Sequence, residues 1–133
     1  MLLQRFRLRP FTAWVILITQ EREELHMKKI VLASASPRRR ELLSQVGVAF
    51  EVKPASGEER ITSAEPAKVV EELSRQKAMF TAYALEEEEN RDLRDVVVIG
   101  ADTVVSYEGK ILGKPADETA AIEMLAMLQG NTH

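Results

Sequence analysis

The most constraining feature of the chain is an apolar run that passes directly into a basic helix start. The run covers residues 30–33, and the residues that follow it read SASPRRR. Ser36 suits the N-cap of a helix, and Pro37 suits its first position, where the missing N–H costs nothing. A strand followed at once by a helix is the repeating unit of α/β folds, so this junction predicts such a fold.

The predicted helix start combines several groups that favour an anion. Backbone amides of the first turn and the positive end of the helix dipole both attract negative charge. Arg38 and Arg39 can add charge-assisted hydrogen bonds to phosphate. The alternative is an ordinary exposed helix start whose arginines are solvated.

The rest of the chain predicts alternating helices and strands. The predicted elements are a helix from Pro37 to Gly47, a strand over 48–52, a long helix from Pro66, a buried strand over 96–99, a hairpin of 103–107 with 110–112, and a helix over 117–129. The last helix is expected to bury Ile122, Leu125 and Leu128. The order β-α-β-α-β-β-β-α favours an α/β sandwich with a mixed sheet.

The first 26 residues differ in character from residues 27–133. Three arginines precede an apolar run over 10–19, which is shorter than the about 20 residues that span a bilayer. No small-residue cleavage site follows it, as a secretory signal requires. We interpret residues 27–133 as the domain and residues 1–26 as an extension or a non-native start. The alternative is a short interfacial anchor or an added edge strand.

Composition excludes several kinds of chemistry. The chain has no cysteine, which excludes thiol catalysis and cysteine-ligated zinc. Its net charge of -3 argues against general affinity for a nucleic acid polymer or an anionic membrane. The two histidines, His26 and His133, lie outside the predicted elements, so a histidine base or metal cluster is not expected.

Asp102 follows the buried strand at the point where ligands bind in open α/β sheets, outside the carboxyl ends of the strands. A carboxylate there can hold a divalent metal or activate water. The alternative is a turn-forming aspartate. Thr103 either contacts a substrate or begins the next strand.

Four further charged residues are weaker candidates. Lys114 could contact a phosphate with its positive charge, and a solvated surface lysine is the alternative. The segment around it is not a Walker A loop, because Pro115 stands where such a loop has Ser or Thr. Glu58 and Glu59 could ligate a metal or could be plain loop charges. Lys77 lies on the apolar side of the long helix, where a snorkelling lysine is the alternative.

Together, four segments resemble the Maf family of nucleoside triphosphate pyrophosphatases: LASASPRR at 32–39, GADTVV at 100–105, GKP at 113–115 and LQGNTH at 128–133. The resemblance covers residues 27–133. It implies the mixed-sheet α/β fold shared with inosine triphosphate pyrophosphatases. It also implies hydrolysis of a nucleotide to its monophosphate and pyrophosphate with Mg²⁺ or Mn²⁺.

The resemblance also implies roles for individual residues. Asp102 would be the proton acceptor and, with Glu59, a metal ligand. The positions that would contact or orient phosphates are Ser34, Arg38, Arg39, Lys77 and Lys114. Arg38 and Thr103 match positions linked to base choice in the branch that acts on dTTP and UTP.

Family members continue beyond the Thr-His pair, so the resemblance implies that the C-terminal part of the fold is missing here. We expect a cytoplasmic dTTP/UTP pyrophosphatase that forms a homodimer in its full-length relatives. Its partner would be a nucleoside triphosphate, with neither a nucleic acid polymer nor a membrane bound. The alternative is a truncated, non-catalytic nucleotide-binding or division-linked regulatory protein.

Overall fold

The computed structural model describes residues 2–8, 13–19 and 28–133. Its strands are β1 Leu2–Leu8, β2 Ala13–Thr19, β3 Lys29–Leu32, β4 Glu51–Val52, β5 Val96–Asp102, β6 Val105–Tyr107 and β7 Lys110–Leu112. Its helices are α1 Pro37–Gln45, α2 Pro66–Glu87 and α3 Glu118–Leu128, and a 3-10 turn covers Leu93–Asp95. His26 and Met27, the latter being the expected domain start, lie outside the described residues.

The main sheet has five strands in the order β1-β2-β5-β3-β4. Strand β3 runs parallel to both β5 and β4, whereas β2 runs antiparallel to β5 and to β1. The remaining strands, β6 and β7, form a separate antiparallel hairpin. Mixed pairing in a sheet connected by helices confirms the predicted α/β class.

The strands of the N-terminal segment extend this sheet at one edge. Strand β2 pairs with β5 in a register that runs from Trp14 opposite Asp102 to Ile18 opposite Val98. This pairing is the arrangement expected of an added edge strand, one of the two alternatives for residues 1–26. The boundary between an extension over 1–26 and a domain over 27–133 stays a prediction.

The core lies between the sheet and one face of α2. Six of the seven residues of β5 are buried, as expected of a central strand that is covered on both faces. The apolar residues of the core cluster are Val31, Ala33, Ala78, Ala82, Leu85, Val96 and Val98. Buried α2 positions recur every three or four residues, because the helix presents one stripe to the sheet.

Gly100 allows α2 to lie unusually close to β5. A Cβ atom at this position would overlap the backbone oxygen of Ser74 and the side chain of Ala78. A glycine within a strand often marks such a close approach of another backbone. Because Lys77 lies on the same part of α2, the approach brings this lysine toward the end of β5.

Three predicted elements differ from the structure. The first strand of the hairpin, expected over 103–107, begins at Val105, so Thr103 does not begin a strand. The strand expected over 48–52 is limited to Glu51 and Val52, because only these two residues pair with β3. The prediction that α3 buries Ile122, Leu125 and Leu128 is wrong, because no residue of this helix is buried. The exposed fractions of Ile122 and Leu125 are 60% and 67%, and Leu128 is half-buried. No described element packs extensively against α3, so its apolar side chains are at most half-buried.

Candidate functional site

The site lies where the parallel strands β3 and β5 end side by side. Leu32 and Ile99 are partners in their register, so the residues that follow both strands emerge at one edge of the sheet. Ser34 follows β3 and is buried, while Asp102 ends β5 with a side chain that is 11% exposed. Helix α1 begins at the same edge, which adds its basic first turn to the site.

The first turn of α1 is ordered by two serine hydroxyls. Ser36 caps the helix, as predicted, by accepting a hydrogen bond from the amide of Arg39 at 3.4 Å. The hydroxyl of Ser34 accepts a hydrogen bond from the amide of Ser36 at 3.2 Å. In the first turn, the amide of Arg39 is satisfied by Ser36 Oγ and the amide of Arg40 by the Ser36 carbonyl oxygen. A larger part of the attraction for an anion therefore falls to the guanidinium groups and the helix dipole.

Arg39 connects α1 to the ends of both strands. Its Nη1 donates a hydrogen bond to Ser34 Oγ at 3.2 Å. Its Nη2 donates to Asp102 Oδ1 and to Thr103 Oγ1, each at 3.4 Å. The planar guanidinium group thus joins Ser34, Asp102 and Thr103, which a lysine could not do in the same geometry.

Lys77 approaches Asp102 from the opposite side, on α2. Its Nζ donates a hydrogen bond to Asp102 Oδ1 at 2.5 Å and lies 3.3 Å from Glu59 Oε1. The lysine side chain is only 19% exposed, so it is paired with two carboxylates rather than reaching into solvent. Two cations, Arg39 and Lys77, thereby face two carboxylates, Glu59 and Asp102.

The two carboxylates have the chemistry of a divalent-cation site. Glu59 and Asp102 both contact one ammonium group, so their oxygens converge on a position that already holds positive charge. Mg²⁺ is typically held by one or two carboxylates together with substrate phosphates, which this pair fits. Among the described residues, no group of three or more His, Cys, Asp or Glu is arranged to hold a metal ion.

Other predicted site residues lie apart from this cluster. Arg38 pairs with Glu41 at 3.1 Å on the surface of α1, with both side chains more than half exposed. Lys114 is exposed and makes no hydrogen bond or ion pair with the part of the chain that the structure describes. Glu58 is 86% exposed and lies 3.9 Å from Arg60, in agreement with a plain loop charge.

Sequence reasoning did not identify three residues that shape the site. Gly100 sets the approach of α2, while Glu72 and Gln76 hydrogen bond the loop that carries Glu59. One feature of the sequence could have identified Glu72 and Gln76. They are one helical turn apart, which places two polar side chains on one face of α2.

Within residues 2–8, 13–19 and 28–133, no helix combines the length and the apolar character that crossing a bilayer requires.

Comparison with known proteins gives a consistent set of matches. The family described as Maf-like protein matches residues 29–133. A dTTP/UTP pyrophosphatase of Agathobacter rectalis is 57% identical over 112 residues, which cover 80% of this chain and 55% of that protein. A dTTP/UTP pyrophosphatase of Bacillus cereus is 47% identical over 120 residues, covering 90% of this chain and 55% of its own. This chain therefore spans about half the length of these curated relatives.

Proposed function

Since this chain belongs to the family of Maf-like proteins, we propose that it acts in the hydrolysis of a nucleoside triphosphate, dTTP or UTP, to the monophosphate and pyrophosphate. The observation that carries the proposal is the meeting of Arg39 and Lys77 on Asp102 at the ends of two parallel strands. Curated relatives that share this part of the sequence are named dTTP/UTP pyrophosphatases.

Asp102 is the proposed proton acceptor. Its Oδ1 accepts the hydrogen bonds from Arg39 and Lys77, whereas Oδ2 accepts none from any described residue. A water molecule beside Oδ2 would lose its proton to the carboxylate as its oxygen bonds to the α-phosphorus. The bond from that phosphorus to the bridging oxygen breaks, and pyrophosphate leaves with the electron pair.

The cations of the site have separate proposed tasks. Arg39 and Lys77 hold the Asp102 carboxylate in place, because each reaches the same oxygen from a different helix. Arg38 and Lys114 are exposed, so they are the cations whose side chains can turn to meet phosphate groups. Once they contact the phosphates, these cations would stabilise the charge that develops there, and such electrostatic stabilisation is the main protein contribution to phosphoryl transfer.

Thr103 and Ser34 complete the proposed substrate contacts. The Arg39 guanidinium group binds both hydroxyls and Asp102, which keeps the three side chains together. Each hydroxyl can still donate its own hydrogen to a phosphate or base oxygen. We propose that Thr103 takes part in base choice and that Ser34 orients a phosphate.

Glu59 and Asp102 are the residues that we propose to hold Mg²⁺ or Mn²⁺. Such an ion, when bound, neutralises charge on the phosphates and polarises the phosphorus–oxygen bonds. The oxygen ligands for the ion would come from these two carboxylates, which both contact the Lys77 ammonium group.

The experiment that tests this function is release of pyrophosphate from dTTP, UTP, dATP and GTP with Mn²⁺ present. We expect release from dTTP and UTP at the highest kcat/KM and no release when Mn²⁺ is chelated. Binding of dTTP in calorimetry without any release of pyrophosphate would overturn the catalytic proposal and favour a nucleotide-binding protein. We propose that full-length relatives form a homodimer, and the native mass of the same preparation shows whether this chain also forms one. We propose the cytoplasm as the location, because it holds these nucleotides.

A further inference from the structure

The loop between β4 and α2, residues 53–65, lies along α2 instead of standing free in solvent. Three of the α2 side chains that it contacts are one helical turn apart, namely Glu72, Gln76 and Phe80. Side chains at this spacing lie on one face of a helix, one above the other. We call these three residues the α2 stripe.

Gln76 is the central member of the α2 stripe. Its Oε1 accepts a hydrogen bond from the amide of Arg60 at 2.8 Å, and its Nε2 donates one to the carbonyl oxygen of Arg60 at 2.6 Å. One carboxamide therefore satisfies both backbone groups of a single loop residue. Such a paired contact sets the orientation of the backbone as well as its distance from the helix.

Glu72 makes a second paired contact, one turn earlier in α2. Its Oε2 accepts a hydrogen bond from the amide of Thr62 at 2.9 Å, and its Oε1 accepts one from the Thr62 hydroxyl at 2.5 Å. The hydroxyl bond, followed by the amide bond, holds the pKa of Glu72 below its usual value. The carboxylate is therefore engaged by the loop in its charged form.

Phe80 supports the other end of the loop. A Cβ atom at Gly57 would lie 2.6–2.8 Å from carbons of the Phe80 ring, so the loop backbone passes directly over that ring. The three contacts run in order along α2, with Gly57 at Phe80, Arg60 at Gln76 and Thr62 at Glu72. The loop is thus laid antiparallel to the helix over residues 57–62.

The contact between Arg60 and Gln76 lies next to the Glu59–Lys77 ion pair, both along the loop and along the helix. Glu59 directly precedes Arg60, and Lys77 directly follows Gln76. The Glu59 side chain is 44% exposed, and an ion pair at an exposed position contributes little to holding a loop. The hydrogen bonds from the Gln76 and Glu72 side chains to the loop backbone are therefore what keeps Glu59 next to Lys77. The Lys77 ammonium group is also bound to Asp102.

We propose that Gln76 and Glu72 are positioning residues that fasten the 53–65 loop to α2 and so present Glu59 beside Asp102 as the second carboxylate of a divalent-cation site. The inference rests on the proposed function in one respect, the use of a divalent cation. Gln76 and Glu72 act only through Glu59, so loss of Gln76 weakens cation binding by no more than loss of the Glu59 carboxylate does. Removal of residues that orient a metal ligand typically lowers metal affinity by about 10–100-fold.

The experiment measures binding of Mn²⁺ alone to the full chain by paramagnetic resonance, without nucleotide, for Gln76→Ala, Glu59→Gln and the double variant. We expect each single variant to raise the Mn²⁺ dissociation constant roughly tenfold. The double variant should bind no more weakly than Glu59→Gln, because two changes that act through one carboxylate are not additive. Glu86→Ala, an exposed change on the same helix, is the control that should leave Mn²⁺ binding unchanged.

Hydrogen exchange at the Arg60 and Thr62 amides reports on the docking of the loop independently of any cation. We expect faster exchange at Arg60 in Gln76→Ala, at Thr62 in Glu72→Ala, and at neither in Glu86→Ala. If Gln76→Ala fails to fold, Gln76→Glu replaces it, because it retains the acceptor for the Arg60 amide and loses the donor to its carbonyl oxygen.

The outcomes separate this inference from the proposed function. Mn²⁺ binding that depends on Gln76, in a protein that releases no pyrophosphate, supports the positioning role and counts against the function. Faster exchange at Arg60 with unchanged Mn²⁺ affinity overturns the positioning role, as does absence of Mn²⁺ binding by the unchanged protein. Weaker binding in the double variant than in Glu59→Gln also overturns it, because Gln76 would then act by another route.

Discussion

The Nζ atom of Lys77 lies 2.5 Å from Oδ1 of Asp102, which joins the middle of α2 to the last residue of β5. Both side chains are less than one-fifth exposed, at 19% and 11%. Removing one member of such a pair leaves a poorly hydrated charge behind, so the pair has consequences for stability as well as for chemistry.

Replacing Lys77 with Met should destabilise the fold by about 1–3 kcal/mol, because Asp102 and Glu59 lose the cation they share. Chemical denaturation measures the change. The control is Lys68→Met on the same helix, whose pair with Glu65 is 66% and 57% exposed. We expect the control to change the free energy of unfolding by less than about 0.5 kcal/mol, and equal losses in both variants would contradict the account.

Replacing Gly100 with Ala should cost about 1–3 kcal/mol, because the added methyl group forces α2 away from β5. The same displacement moves Lys77 away from Asp102, so we also expect a lower kcat. Gly113→Ala is the matched control, since a Cβ there meets no atom within 4 Å. Thermal unfolding of the two variants provides the comparison, and a Gly100→Ala protein as stable as Gly113→Ala would refute the close approach.

The carboxyl group of Glu72 should titrate below its usual range, because the hydroxyl and then the amide of Thr62 donate hydrogen bonds to it. A pKa lowered by folding means that these bonds stabilise the fold above the unfolded pKa and are lost as the pH falls through the folded pKa. In Thr62→Val the hydroxyl bond is gone, so the pKa should rise toward its ordinary value. Carbon NMR of the carboxyl group measures it, and an unchanged midpoint would contradict the docking of the loop.

Adjacent arginines should behave differently when each is changed to Met. Arg39 binds Ser34, Asp102 and Thr103, so Arg39→Met should lower both kcat and the free energy of unfolding. Among the residues that the structure describes, Arg38 pairs with Glu41 alone, on the surface, so Arg38→Met should raise KM for dTTP and leave stability within about 0.5 kcal/mol. Steady-state kinetics and chemical denaturation of the two variants provide the comparison. Equal changes in kcat and in the free energy of unfolding would contradict these separate roles of Arg38 and Arg39.

The elements that follow from local chemistry could be predicted from sequence. Ser36 and Pro37 begin α1 as expected, because a cap and its first-turn proline are encoded by neighbouring residues. Pro66 also stands at the first position of α2, although the side chain of the N-cap residue Glu65 makes no capping hydrogen bond. The continuous apolar run near Val96 marked the central strand, since burial on both faces leaves no polar alternation.

The parts that depend on distant packing could not be predicted. The apolar pattern of α3 indicated which face would be buried but not whether another element would cover Ile122 and Leu125. From the sequence, Arg38 and Arg39 were equally good candidates for a phosphate contact. Successive side chains of a helix point about 100° apart, and of these two arginines it is Arg39 that faces Asp102. The spacing of Glu72 and Gln76 indicated a polar face on α2 but not what would contact it, because the docking of Arg60 on Gln76 depends on the path of a loop.

The most direct test of the central claim is pyrophosphate release from dTTP by Asp102→Asn with saturating Mn²⁺. Asparagine retains an oxygen that accepts the Lys77 hydrogen bond but cannot take a proton from water. We predict that kcat falls about 10²–10⁴-fold, as for loss of a general base, while the circular dichroism spectrum is unchanged. An Asp102→Asn protein that keeps the kcat of the unchanged protein would contradict the account.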